Sequence, residues 1–298
     1  MVYVSLGSGN QVIAIDAAQQ TITDSYPGVA NSHGLVATPD GEYLVAGSLD
    51  EDEGKSKLYL VHPGHGHVMS EITVDGWTHH QAATPDDRYV LSTHPTRGDI
   101  SVLDVQTNQI ARTVETGPGP NYILVTRDGS RAYVSNTGNG TLSEVDLGDW
   151  TVRRNLEAGP VPEHMAFSHD EQTIYVANSR AGEISAVDVQ GGKLRHSYSI
   201  GKQVHGLDIS DDGSTLFVTN RKANELVALE PSSGEQRKLS LAPEPYHLNT
   251  ISGTGTVYVS SHDAPVLWIV DQKSLELLET LDLPAGEGHQ MAVIANEN

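Results

Sequence analysis

Histidine recurs in this chain at a fixed interval. Counting back five residues from each Thr/Ser-x-Asp-type turn reaches His33, His79, Asn121, Glu163, His205, His247 and His289, spaced by 46 residues once and by 42 thereafter. Running from His289 past the last residue and in again at Met1 to His33 makes another 42, so the register closes on itself. His80 and His164 hold the next position in two repeats. Seven of the 14 histidines thus stand in fourteen junction positions, where random placement among 298 residues would put fewer than one. Imidazole is the commonest protein ligand for Zn, Cu, Fe and Ni. An all-histidine set without thiolate or many carboxylates points to copper or zinc, or another transition metal, rather than to Mg or Ca. Seven ligands exceed the four of one tetrahedral ion, so more than one ion is expected. The competing reading is that duplication copied a histidine that only hydrogen-bonds the neighbouring repeat. Against it, only Asn121 and Glu163 depart from the pattern. Crowded imidazoles also repel when protonated, so an unmetallated ring of them costs stability near and below neutral pH.

A 42-residue period means stacked repeats in one architecture rather than separate cores. With 29 Gly, 14 Pro, two Phe and 37% hydrophobic residues, the chain reads as many short strands joined by tight turns. The expectation is an all-β, seven-bladed β-propeller of four-stranded antiparallel blades, a single domain over 1–298. Its repeats start near 33, 79, 121, 163, 205, 247 and 289. The last blade joins Gln290-Met291-Ala292-Val293-Ile294 to the N-terminal strands, which leaves no open sheet edge. Four extra residues fall in a charged loop over 49–57, read as a mobile insertion between second and third strands. First strands line a central channel in such a fold, so the junction histidines would meet at its mouth.

Second strands read almost in unison: Tyr133-Val134-Ser135-Asn136, Tyr175-Val176-Ala177-Asn178, Phe217-Val218-Thr219-Asn220. Each leads through a Gly/Asn turn or its equivalent to a third strand, several of which end in Asp, as in Leu142-Ser143-Glu144-Val145-Asp146. This pattern resembles the YVTN family of β-propeller repeats across essentially the whole chain; it is specific for fold and says little about activity. The histidine set resembles a second family. The catalytic propeller of nitrous-oxide reductase holds a multinuclear copper centre through one adjacent histidine pair and five single histidines. Trp77-Thr78-His79-His80, followed by Pro85-Asp86, looks like the pair, and His33, His164, His205, His247 and His289 look like the singles. The resemblance implies copper ligation and a small-molecule oxidoreductase. The chain departs from that family in placing its ligand-free repeat, at Asn121, beside the pair. It also lacks the Cys-containing cupredoxin domain, having no Cys at all, which implies an external electron-transfer partner and another small substrate.

Glu163 is the one carboxylate in the junction register, and three roles are open to it: a catalytic proton donor, a ligand, or a partner for a neighbouring histidine. Asn121, with Arg180, Arg221, His94 and His262 in loops between second and third strands, forms the candidate contact set for a small molecule or small anion. His62-Pro63-Gly64-His65-Gly66-His67 lies between third and fourth strands and reads as a solvated turn. A net charge of −21 argues against nucleic acid, and no apolar run is long enough to span a membrane. Met1 leads straight into strand-like Val2-Tyr3-Val4-Ser5; the expectation is a mature periplasmic or extracellular chain. The alternatives to an enzyme are a metal carrier without turnover and a YVTN-type surface or scaffold protein.

Overall fold

The computed structural model describes residues 1–50 and 52–294. Among these, 28 strands form seven four-stranded antiparallel sheets, and the fold is an all-β, seven-bladed β-propeller. Six sheets run in chain order. The seventh takes Gly288–Val293 as its first strand, then Val2–Leu6, Gln11–Asp16 and Thr21–Pro27. The Met1 amino group donates to the Ile294 carbonyl at 2.8 Å and the Ile294 N–H to the Met1 carbonyl at 3.0 Å, fastening that closure. Val2–Leu6 is buried along its whole length, as a strand paired on both sides should be.

The chain packs as two compact units, Met1–Asn155 with the segment from Gln290, and Leu156–His289. In the first, the first strand Ser32–Ala37 packs beside Gln81–Ala83, and that beside Pro120–Val125. In the second, Pro162–Phe167, Val204–Ile209 and Pro245–Ile251 succeed one another in the same way. Between sheets lie hydrophobic clusters such as Leu91, Ile100, Val102, Ile123 and Val134 in the first unit and Phe217, Leu226, Val257, Val259 and Trp268 in the second. The alternation of the strands predicts this, one face to each neighbouring sheet.

The inserted loop is more regular than its composition suggests. Residue 51 lies outside the described residues, but the third strand already begins at Lys55 and runs to His62, paired with His67–Asp75. Ser56 donates its hydroxyl to the Gly76 carbonyl at 2.7 Å, so the extra residues lengthen a hairpin.

One irregularity repeats. Pro162 pairs with Asn178 and Met165 with Val176, so Glu163 and His164 together face Ala177. In the same way Asn121 and Tyr122 face Ser135, His205 and Gly206 face Thr219, and Tyr246 and His247 face Ser260. In another blade the His79 N–H donates to the Thr93 carbonyl and the Thr93 N–H to the His80 carbonyl, both at 3.0 Å, and between Ser32 and Gly34 the register also shifts, at His33. Each is a β-bulge, two residues opposite one, which re-aims side chains beside a functional site.

Candidate functional site

The bulges gather the junction residues. In the first unit the rings of His33 and His79 lie 4.4 Å apart, His79 and His80 4.4 Å, and His33 and His80 5.0 Å. One nitrogen from each falls within 4.8 Å of the others. In the second unit His164 and His205 lie 4.5 Å apart, His164 and His247 4.9 Å, and His205 and His247 5.0 Å, again with nitrogens within 4.8 Å. His289 is 5.7 Å from His247, and its Nε2 is 3.3 Å from Glu287 Oε1. All are buried except His79, which is half-buried.

Hydroxyls of the second strands hold this arrangement. Thr219 Oγ1 accepts the Gly206 N–H at 2.7 Å and donates to the Tyr246 carbonyl of the next blade at 2.6 Å. Thr93 Oγ1 does the same, from the His80 N–H at 3.0 Å to the Asn121 carbonyl at 2.8 Å. In these two blades the Thr of the repeat signature therefore braces its own bulge and ties it to the neighbour, whereas Ala177 faces the Glu163/His164 bulge without a hydroxyl. Gly206 is required there: a Cβ would come within 2.5 Å of the Tyr246 carbonyl oxygen.

Ring partners select the nitrogens. Gln290 Oε1 accepts the Leu35 N–H at 3.2 Å, so its oxygen faces His80 Nδ1, 2.8 Å away, and that nitrogen is the donor. His79 Nδ1 lies 3.4 Å from the Asn121 carbonyl. His205 Nδ1 lies 2.9 Å from Glu163 Oε2, while Glu163 Oε1 accepts the Ser179 hydroxyl at 2.7 Å. A proton held on Nδ1 leaves Nε2 as the lone-pair nitrogen, the form that binds metals. Two ligands at about 2.0–2.1 Å from one ion stand no more than about 4.2 Å apart, so each triad needs only a small contraction to hold one. The donor chemistry and spacing of both buried clusters fit a transition-metal ion.

Asn121 and Glu163, the two departures from the histidine pattern, both stand behind histidines. Asn121 does so through its main-chain carbonyl, and Glu163 is a hydrogen-bond partner of His205, one of the three roles open to it. His94 differs from its expected place at a substrate-facing loop. It ends the strand Tyr89–His94 with no exposed surface, its nitrogens 3.3 Å from the Trp77 carbonyl and 2.8 Å from Ser101 Oγ. Asn136 and Asn178 hold the equivalent place and donate to Ser143 and Ser185 at 2.9 and 2.6 Å, so His94 takes over a framework role. Burial drives its pKa from 6.5 down to about 4. Arg180 and His262 are exposed; His262 lies against Asp263 at 2.5 Å and edge-on to Tyr246 at 4.9 Å. Arg221 donates to Glu244 at 2.8 Å, its guanidinium 4.7 Å from the Tyr246 ring. In the other histidine group His62 and His65 stack at 4.0 Å beside the short turn Pro63–His65, with His65 and His67 exposed.

Tyr246 and Gln290 are the residues that the repeat count missed. Tyr246 stacks on His205 at 4.3 Å and 12°, meets His247 at 4.2 Å, and burial lifts its phenol to about 12. Its bulge begins one residue earlier than the count from the turn predicts. His247 accordingly shares its position with His80 and His164 rather than with His205. Both residues adjoin junction histidines in the chain, and that adjacency was the available signal.

A family model described as "YNCE-like beta-propeller" matches residues 1–170. Among curated proteins none matches this sequence. Of solved structures, a periplasmic gluconolactonase of Pseudomonas aeruginosa superposes with a TM-score of 0.80 at 19% identity, over 99% of each chain. A hydrazine synthase chain of Kuenenia stuttgartiensis superposes with a TM-score of 0.75 at 18% identity, over 85% of this chain and 86% of that one. At these identities the likeness is one of fold.

Proposed function

The chain belongs to the YNCE-like beta-propeller family, and from its histidine groups we propose that it is a copper-binding propeller acting on a small molecule as a periplasmic oxidoreductase. The observation that carries the reading is the set of buried histidine groups, among them His33/His79/His80 and His164/His205/His247, each with its nitrogens within 4.8 Å. Copper held there supplies one-electron redox chemistry. The protein's own contribution is orientation. Gln290, the Asn121 carbonyl and Glu163 keep protons on Nδ1 of His80, His79 and His205 and aim Nε2 as ligand. Glu163 positions His205 in this account, and it also holds the carboxylate closest to the triad for moving a proton. Tyr246 and the Arg221–Glu244 pair cover the second triad, and Arg221 is the cation placed to attract a small anion. Electrons come from an external donor, and the superposition on a protein titled a periplasmic gluconolactonase supports the compartment.

Elemental analysis after loading with Cu, Zn or Ni tests this reading. Wild type should retain about two copper ions per chain, one for each triad. His80→Ala and His247→Ala should each lose one. Copper content near zero after loading would contradict metal binding. Two ions without turnover of any oxidisable or reducible small molecule would leave a carrier instead of an enzyme.

A further inference from the structure

Resting on the metal-binding reading above, we propose that the two triads take ions of different charge: His164/His205/His247 a divalent ion, Zn²⁺ or Cu²⁺, and His33/His79/His80 a Cu⁺ ion. The groups behind the ligands differ in kind. In the second unit the backing group of His205 is the Glu163 carboxylate, 2.9 Å from Nδ1, 20% exposed and anchored by the Ser179 hydroxyl at 2.7 Å. A carboxylate behind a ligating imidazole raises its basicity and brings a negative charge within one ring's width of the ion. Coulomb attraction to that charge is twice as large for a divalent ion as for a monovalent one.

In the first unit the groups seen behind His80 and His79 are dipoles, the Gln290 side-chain oxygen at 2.8 Å and the Asn121 carbonyl at 3.4 Å. The Leu35 N–H at 3.2 Å pins that amide oxygen-first. Aromatic edges enclose the same rings, Trp77 against His79 at 5.3 Å and Tyr122 against His80 at 4.7 Å. Aromatic rings border both triads, so the difference rests on the backing groups: dipoles carry no net charge to offset a second positive charge, and the lower-charged ion loses least on entering there. Imidazole suits zinc and copper alike, so the choice between ions falls to the backing groups.

Anaerobic competition titrations of the full chain with Zn²⁺ and with Cu⁺ test this, in wild type, Glu163→Gln and Gln290→Glu. Wild type should hold one Zn²⁺ and one Cu⁺ together. Glu163→Gln should weaken Zn²⁺ by about ten- to 100-fold and leave Cu⁺ unchanged. Gln290→Glu should confer a second tight Zn²⁺, and it carries the test should the first variant fail to fold. Equal Zn²⁺ affinity in folded Glu163→Gln and wild type, or Zn²⁺ displacing Cu⁺ ion for ion, would overturn the proposal while leaving metal binding intact. Failure of wild type to bind either ion would remove the underlying reading as well.

Discussion

The two residues that break the histidine pattern explain how it works. Asn121 and Glu163 both supply acceptors to Nδ1 of a histidine in a neighbouring blade, 3.4 and 2.9 Å away. The junction histidines and the groups behind them thus come from the same repeat register, through a side chain at Glu163 and through the main chain at Asn121. His94 is a different case, a histidine in a place that three other blades fill with Asn136, Asn178 and Asn220. It titrates near 6.5 in the unfolded chain but only near 4 when folded, because burial disfavours its charged form. Its folded pKa is depressed, so its contribution is complete above pH 6.5. It is lost as pH falls from 6.5 toward 4, on the order of 3 kcal/mol in all. His94→Asn should therefore flatten the fall of stability over that window, read as urea midpoints at successive pH values. An unchanged slope would refute this role. The role was legible in principle, since aligning Ser92-Thr93-His94 with Val134-Ser135-Asn136 sets the histidine in the asparagine column. Its loop-like surroundings, Pro95-Thr96-Arg97-Gly98, pointed outward instead.

At the level of the strand, a hydroxyl at the third signature position braces the bulge where the sequence supplies one, as Thr93 and Thr219 do, while the Glu163/His164 bulge forms opposite Ala177 without it. Thr219 is fully buried and joins the Gly206 N–H to the Tyr246 carbonyl, so one hydroxyl sets two blades' junction residues at once. Thr219→Val keeps the shape and removes the hydroxyl, leaving buried backbone groups without their partner. The expected cost is about 2 kcal/mol in urea unfolding, with weakened metal binding at His205 and His247. Thr219→Ser should stay close to wild type, and a Val variant as stable as wild type would show that the bulge does not depend on the hydroxyl. The repeat beat was readable because every blade needs the same strands and turns. The bulge was not, since period-two alternation gives no sign of an extra residue, and the count back from each turn assumes strands of constant length. Pro245–Ile251, a seven-residue first strand, breaks that assumption and hides Tyr246.

For the molecule as a whole, closure by Gly288–Val293 beside Val2–Leu6 follows from the return of the beat at Met1. Among the described residues no helix is long and apolar enough to cross a membrane. The net charge of −21 argues against nucleic acid as a partner. The fold gives no reaction, because function resides in the site that the blades carry. The central claim concerns that site, and anomalous diffraction at the copper edge from crystals of the copper-loaded full chain tests it most directly. The account predicts one strong peak within bonding distance of ring nitrogens in each of the two triads, His33/His79/His80 and His164/His205/His247. Both triads empty, with any copper confined to the His62, His65 and His67 turn, would contradict it.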